Sequence, residues 1–287
     1  MILDLIEIKP KLNVKKVVIV SIIIVLLLAL VGVLTTFAII NYIELNEVKE
    51  EQILQLTKPT HKVYLTEEDK KNNIVPKVDK IYNSDYKRVF LTFDDGPSKS
   101  VTIPILDILK ENNIKATFFA LGSNVNRYPE IVKRAYQEGH YIANHSYTHS
   151  YKDLYKSPEK VLEEYNKTEK AIRKAIGVEN YNSRLFRFPG GSVGGKYDKN
   201  KKEAVELLNK NNIAHLDWNA LTADAAGITD NNEMLKYLEK TIGNKKSVVI
   251  LMHDTGSKKG TYEILPKLIK MLKEKGYKFE NIYDLLR

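Results

Sequence analysis

Two hydrophobic rhythms divide the chain. From Val17 to Ile40 runs an uninterrupted apolar stretch without a single charge, whereas beyond residue 86 short apolar runs alternate with segments whose apolar positions recur every three or four residues. The first stretch, about 24 residues, is long enough to span a roughly 30 Å hydrocarbon core as a helix. The second opens with a strand: Val89, Leu91 and Phe93 alternate with Phe90 and Thr92, and Gly96-Pro97 cannot continue it. Asp94 and Asp95 therefore fall where that strand ends. A helix from Ile103 to Asn112 follows, with Pro104 in its first turn, and then an apolar run from Ala116 to Leu121 closed by Gly122. The alternation recurs as helix Pro129 to Glu138, strand His140 to Asn144, helix Ser157 to Ile176 ended by Gly177, and strand Leu185 to Phe188. Helix Lys201 to Asn211, strand Ile213 to Trp218, helix Asn231 to Ile242, strand Ser247 to Met252 and helix Tyr262 to Lys275 complete it. Such alternation predicts an α/β fold with a mostly parallel sheet wrapped by helices, and a site drawn from several strand ends fits a barrel better than an open sheet.

Charge gives the apolar stretch a direction. Lys9, Lys11, Lys15 and Lys16 precede it, so the positive-inside rule places residues 1–16 in the cytoplasm and everything after Asn41 outside. The run is too long for a cleaved leader and no small-x-small site follows it, so residues 17–40 read as a transmembrane anchor. Residues 41–85 are polar and broken by Pro59 and Pro76, which reads as an extracellular stalk; within it ELNEVKEEQILQL has the pattern of a short helix continuing from the membrane. Residues 86–287 are the expected catalytic-size domain.

Composition removes several function classes. The formal net charge is +9, but the lysines are scattered on predicted helices and not interleaved with aromatics, so they read as solvated faces and not as a nucleic-acid surface. No strand is followed by GxGxxG or a Walker pattern, which argues against a nucleotide. The chain has no cysteine, so any metal must be held by His, Asp or Glu.

Four strand ends carry polar groups. Adjacent acids at Asp94 and Asp95 point in different directions, so one can serve a metal and the other a proton; by themselves they would be an ordinary Asx-type turn. His145 and His149 have the spacing of ligands on one face of a helical turn, although such a pair alone is more often a surface or capping feature. Arg187-Phe188-Pro189-Gly190-Gly191 ends a third strand with a cation and exposed backbone N–H groups, and His253 ends a fourth. His61, His140 and His215 read as structural or solvated.

Taken together, TFDDGP at Thr92 to Pro97, HSxTH at His145 to His149, RFPGG at Arg187 to Gly191 and LxH at Leu251 to His253 resemble the polysaccharide deacetylase family, carbohydrate esterase family four. The resemblance covers roughly residues 87–287. It implies a distorted (β/α) barrel carrying a divalent metal, zinc first and cobalt or another ion as alternatives, held by Asp95, His145 and His149. It also implies Asp94 as general base, Arg187 as its tether, His253 as general acid, Gly190 as an N–H donor to the oxyanion and Leu251 as lining of the acetyl pocket. The family's fourth motif ends in Asp-Trp. Here Asp224 aligns with the aspartate that orients the acid histidine, Asp217 being the weaker candidate, and Ala225 stands where Trp is expected. Trp218, the only tryptophan, is then either pocket wall or a core strand residue, the latter preferred. Family members often carry an aromatic where Gly190 stands. The expected reaction is removal of N-acetyl groups from amino sugars of a cell-wall glycan. Peptidoglycan is favoured because the anchor would hold the domain against the wall; chitin oligomers, another acetylated polysaccharide, or a non-catalytic glycan-binding module on the same scaffold are the alternatives.

Overall fold

The computed structural model describes residues 14–57, residue 65 and residues 73–286. Most of the expected cytoplasmic tail, and residues 58–64 (His61 among them) and 66–72 of the expected stalk, lie outside the described residues. The chain divides after Thr57 into two units.

The first unit is one helix, α1, Val14–Thr57. Its stretch Ser21–Asn46 has a mean hydropathy of 3.0 with no residue of its most apolar window buried, so it is long and apolar enough to cross a membrane. The stretch that follows Ile40 continues the same helix.

The second unit begins with α2, Val75–Asp79, and a 3₁₀ turn, Lys80–Tyr82. The repeating part then runs β1 (Arg88–Asp94), α3 (Thr102–Glu111), β2 (Thr117–Ala120), α4 (Gly122–Arg127), α5 (Pro129–Gln137) and β3 (Tyr141–Asn144). It continues as α6 (Tyr151–Leu154), α7 (Pro158–Ile176), β4 (Leu185–Phe186), α8 (Asp198–Lys210), β5 (Ala214–His215) and β6 (Ala220–Leu221). It ends with α9 (Asn231–Ile242), β7 (Ser247–His253), α10 (Lys259–Glu274), β8 (Lys278–Phe279) and α11 (Ile282–Leu286). The strands pair in parallel in the order β5-β4-β3-β2-β1-β7-β6, with β8 against the start of β1. The chain adopts the α/β barrel read from the alternation, in the distorted form that the resemblance implied.

Each strand splits its side chains between two cores, as the two-residue period requires. On β1, Val89, Leu91 and Phe93 face the helices while Phe90 faces the barrel interior; on β7, Val248, Ile250 and Met252 face out and Val249 faces in. The interior layer also takes Phe119, Tyr141, Ala143, Leu185, Ala214 and Leu216. Counting on by twos from these interior residues gives Asp94, His145, Arg187, Trp218 and His253 at the strand ends, so the alternation that fills the barrel also aims the polar groups into its mouth. The opposite end is plugged by Ile74, Val78 and Ile81 from α2 and its neighbouring turn, together with Leu286 of α11.

That plug corrects the expected stalk. Ile74, Val78 and Ile81 are at most 2% exposed, so residues 74–82 belong to the folded unit, and Leu65 bridges to Asn182 as well. Two further expectations change. The strands read as Leu185 to Phe188 and Ile213 to Trp218 are only two residues long, and Trp218 lies beyond β5, outside any strand. His145 and His149 are not on a helical turn: Ser146 and His149 adopt left-handed backbone, φ 70 and 60, which no helix contains.

Candidate active site

The mouth of the barrel opens into a cleft of about 850 Å³ lined by Asp94, Asp95, His145, His149, Leu251 and His253 among others. Asp94 is the last residue of β1 and pairs in register with His253, the last of β7. Backbone pairing alone thus fixes these two side by side. Asp94 is buried, and Arg187 donates to it from Nη1 at 2.8 Å. The same guanidinium donates to Thr92 Oγ1 (2.7 Å), Leu216 O (2.9 Å) and Asp217 O (3.1 Å) and lies 4.0 Å from the Phe119 ring centroid. Burial raises the Asp94 carboxyl above its usual range; the charge of Arg187 and, less, of His253 pull it back.

Asp95 follows in the left-handed region, φ 74. This turn swings its carboxylate away from Asp94, and Oδ1 lies 3.4 Å from His145 Nε2 and 3.3 Å from His149 Nε2. The Asp95 backbone is held by Asn124, whose amide donates to its carbonyl at 2.8 Å. His145 Nδ1 lies 2.8 Å from the Arg187 carbonyl. A carbonyl can only accept, so the proton sits on Nδ1 and the Nε2 lone pair is left facing Asp95. Burial pushes His145 down to about 3, so the ring stays neutral as a ligand must. The loop between the histidines is clamped from α7: Glu164, itself buried, accepts from Tyr147 N, Thr148 N and Thr148 Oγ1.

One ligand atom from each of Asp95, His145 and His149 lies within 4.8 Å of the others, and Asp95 Oδ1 is buried without a hydrogen-bond partner. A buried carboxylate oxygen facing two imidazole Nε2 atoms fits a divalent cation of the zinc or cobalt kind.

On the other side of Asp94, His253 Nδ1 lies 2.9 Å from Asp224 Oδ1, while Asp224 Oδ2 accepts from the His253 backbone N–H (2.7 Å) and from Thr261 Oγ1 (2.9 Å). Burial opposes the charged imidazolium, but the hydrogen bond and charge of Asp224 outweigh it and push His253 up to about 9. Asp217 does not reach it; it accepts from Ser192 N and Oγ and so shapes the Gly190-Gly191-Ser192 turn. Gly190, Leu251 and Trp218 all line the cleft, and Ala223, Ala225 and Ala226 line it without an aromatic. Trp218 lines the cleft and also packs against the barrel-interior core, so it is partly pocket wall and partly core, but lies outside any strand. His140 is buried below β3, its Nδ1 accepting from Ala116 N, and takes no part. The sequence reading passed over Glu164, Thr261, Asn124 and Tyr151, which belong to no recognisable motif.

The mouth of the parallel barrel thus combines a candidate cation triad with an adjacent carboxyl and imidazole, Asp94 and His253. The model of the family described as polysaccharide deacetylase matches residues 81–213. A peptidoglycan-N-acetylglucosamine deacetylase of Bacillus cereus is 36% identical over 241 residues, covering 82% of this chain and 81% of the relative. The deacetylase PgdA of Listeria monocytogenes is 37% identical over 219 residues, 74% of this chain and 41% of its own length. Among solved structures, a carbohydrate esterase family four esterase of Streptococcus mutans superposes with a TM-score of 0.65 at 31% identity, covering 72% of this chain and 90% of that one. The chain belongs to the polysaccharide deacetylase family.

Proposed function

We propose that the protein is a membrane-anchored, outward-facing, metal-dependent deacetylase that removes N-acetyl groups from N-acetylglucosamine in peptidoglycan. In this reading residues 1–16 are cytoplasmic, residues 17–40 form the anchor, a stalk follows, and the catalytic domain takes in Leu65 and the residues from Ile74 onward. The partners are the membrane and the wall glycan, with no nucleic acid or nucleotide. The observation that carries the chemistry is the register pairing of Asp94 with His253 beside the Asp95-His145-His149 triad.

Zinc or a similar ion held by that triad would supply Lewis-acid polarisation of the amide carbonyl and lower the pKa of water at the site. Asp94 accepts the proton of the attacking water, and Arg187 fixes its orientation and favours its charged form. The Gly190 N–H donates to the carbonyl oxygen as negative charge develops there. His253, charged below about pH 9, donates its Nε2 proton to the departing amine while Asp224 holds Nδ1. Leu251 and Trp218 wall the acetyl group. Peptidoglycan is favoured because relatives bear that name and because the apolar helix would keep the domain at the wall.

The test is acetate release from isolated peptidoglycan and from N-acetylglucosamine oligomers, with and without chelator. Asp94→Asn is expected to abolish turnover while retaining the metal, and Asp95→Asn to lose the metal. Glycan binding by metal-loaded wild type without acetate release would instead make this a binding module.

A further inference from the structure

The cleft continues past the triad. Tyr151 and Gly190 line it, and the same two residues line a second cavity of about 560 Å³ walled further out by Val193, Lys196 and Tyr197. Tyr151 therefore stands at the seam between the reacting centre and the next stretch of surface. Its hydroxyl lies 2.7 Å, and two of its ring carbons 3.2 and 3.3 Å, from the point a Cβ would occupy on Gly190. A side chain at position 190 and the phenol at 151 would contend for one space. Here the backbone at 190 is bare and left-handed, φ 74, and the aromatic that covers it comes from α6.

Two ring contacts hold Tyr151 in place. Its centroid is 5.4 Å from that of His149 and 5.8 Å from that of Tyr155. Tyr155, one turn along, is 1% exposed and donates its hydroxyl to Pro189 O at 2.6 Å, so α6 is pinned to the turn that carries Gly190. Tyr151 itself remains 41% exposed. A large half-exposed ring on a fixed support, beside a reacting centre, is suited to the C–H face of a pyranose: it offers apolar area, a hydroxyl tip and little rotamer entropy to lose.

We propose that Tyr151 is the platform for the sugar unit next to the one being deacetylated, replacing from α6 the aromatic that position 190 lacks, and that it makes the enzyme prefer glycan chains over single sugars. This deepens the deacetylase reading above and rests on it. Acetate release is measured with N-acetylglucosamine and with its tetramer, using the full-length protein loaded with zinc. In Tyr151→Ala the ratio of kcat/KM for tetramer over monomer is expected to fall about tenfold, through KM. Tyr151→Phe, which keeps the ring and its support, is expected to retain most of that ratio. Equal losses on both substrates would overturn the proposal, because they would mean that Tyr151 acts through its contact with His149. An unchanged ratio in Tyr151→Ala would overturn it too. Wild-type protein that releases acetate from neither substrate nor from peptidoglycan would refute the deacetylase reading itself.

Discussion

Replacing Asp224 by Asn separates the charge of the orienting carboxylate from its shape. Asn can keep one contact to the His253 backbone and one to Thr261, but it brings no charge to the imidazole, and its NH₂ group can only donate where the ring N–H also donates. What remains is burial, which lowers the imidazole, against the smaller effect of the Asp94 and Asp95 charges, which raise it. His253 is therefore expected to fall from about 9 toward the ordinary histidine value of 6.5. A fall from about 9 to 6.5, at about 1.4 kcal/mol for each tenfold change, corresponds to about 3.5 kcal/mol of lost preference for the charged form. At pH 7.5 the charged fraction drops from nearly all to about one molecule in ten. The sign follows from a raised folded-state value: the stabilisation from this pair is complete below pH 6.5 and disappears as pH rises through about 9. Histidine-labelled protein, stripped of metal so that no cation adds to the result, reports the titration by NMR, with His253→Gln to assign the signal. The alkaline limb of kcat in the zinc-loaded enzyme is expected to move down with it. If His253 in Asp224→Asn still titrates near 9, Asp224 is not the source of its charge and its assignment as the orienting residue fails.

Two further substitutions test the frame around the site. Arg187→Met removes donors from four oxygens and leaves the Asp94 carboxylate buried without a counter-charge; it is expected to cost about 3–5 kcal/mol, seen as a melting temperature lower by roughly 10 °C. A variant as stable as wild type would show that Asp94 is already neutral in the folded protein. In Gly96→Ala the new methyl would collide with the buried Asp254 carboxylate, which Thr102 Oγ1 holds at 2.7 Å. About 2 kcal/mol of stability should be lost, together with zinc affinity measured by competition with a chelating dye, because the displaced turn is the one that presents Asp95.

How much was legible depended on how much period each element had to display. The helix from Pro158 to Ile176 was readable end to end: Ser157 accepts from Lys160 N at its start, and Gly177 at φ 72 stops it. The strand ending at His253 has seven residues and buries both faces, so its apolar run was unambiguous. β4, β5 and β6 have two residues each, too few for any alternation to declare itself. Ile74, Val78 and Ile81 looked like linker because their lysine and proline neighbours dilute the pattern, yet those three side chains close the barrel floor. Tyr151 could not be found at all from sequence: it is one of 17 tyrosines, and only its position above Gly190 distinguishes it.

The motifs were legible for a different reason from the helices, and they concealed the local geometry. Asp95, Ser146 and His149 all have left-handed backbone, which β-region and α-region propensities disfavour in residues other than Gly, at about 1 kcal/mol or more apiece. A regular strand would send the side chain after Asp94 to the outer face, and a regular helical turn would set His145 and His149 parallel to each other. The left-handed turn at Asp95 instead brings its oxygen back over the mouth, and those at Ser146 and His149 fold the loop so that both Nε2 atoms meet that oxygen. The unfavourable backbone is held by fixed partners, Asn124 on the Asp95 carbonyl and Glu164 across the histidine loop. The identity of the candidate ligands was thus written in the residue types, whereas their convergence depends on side chains from α4 and α7 that share no motif with the triad.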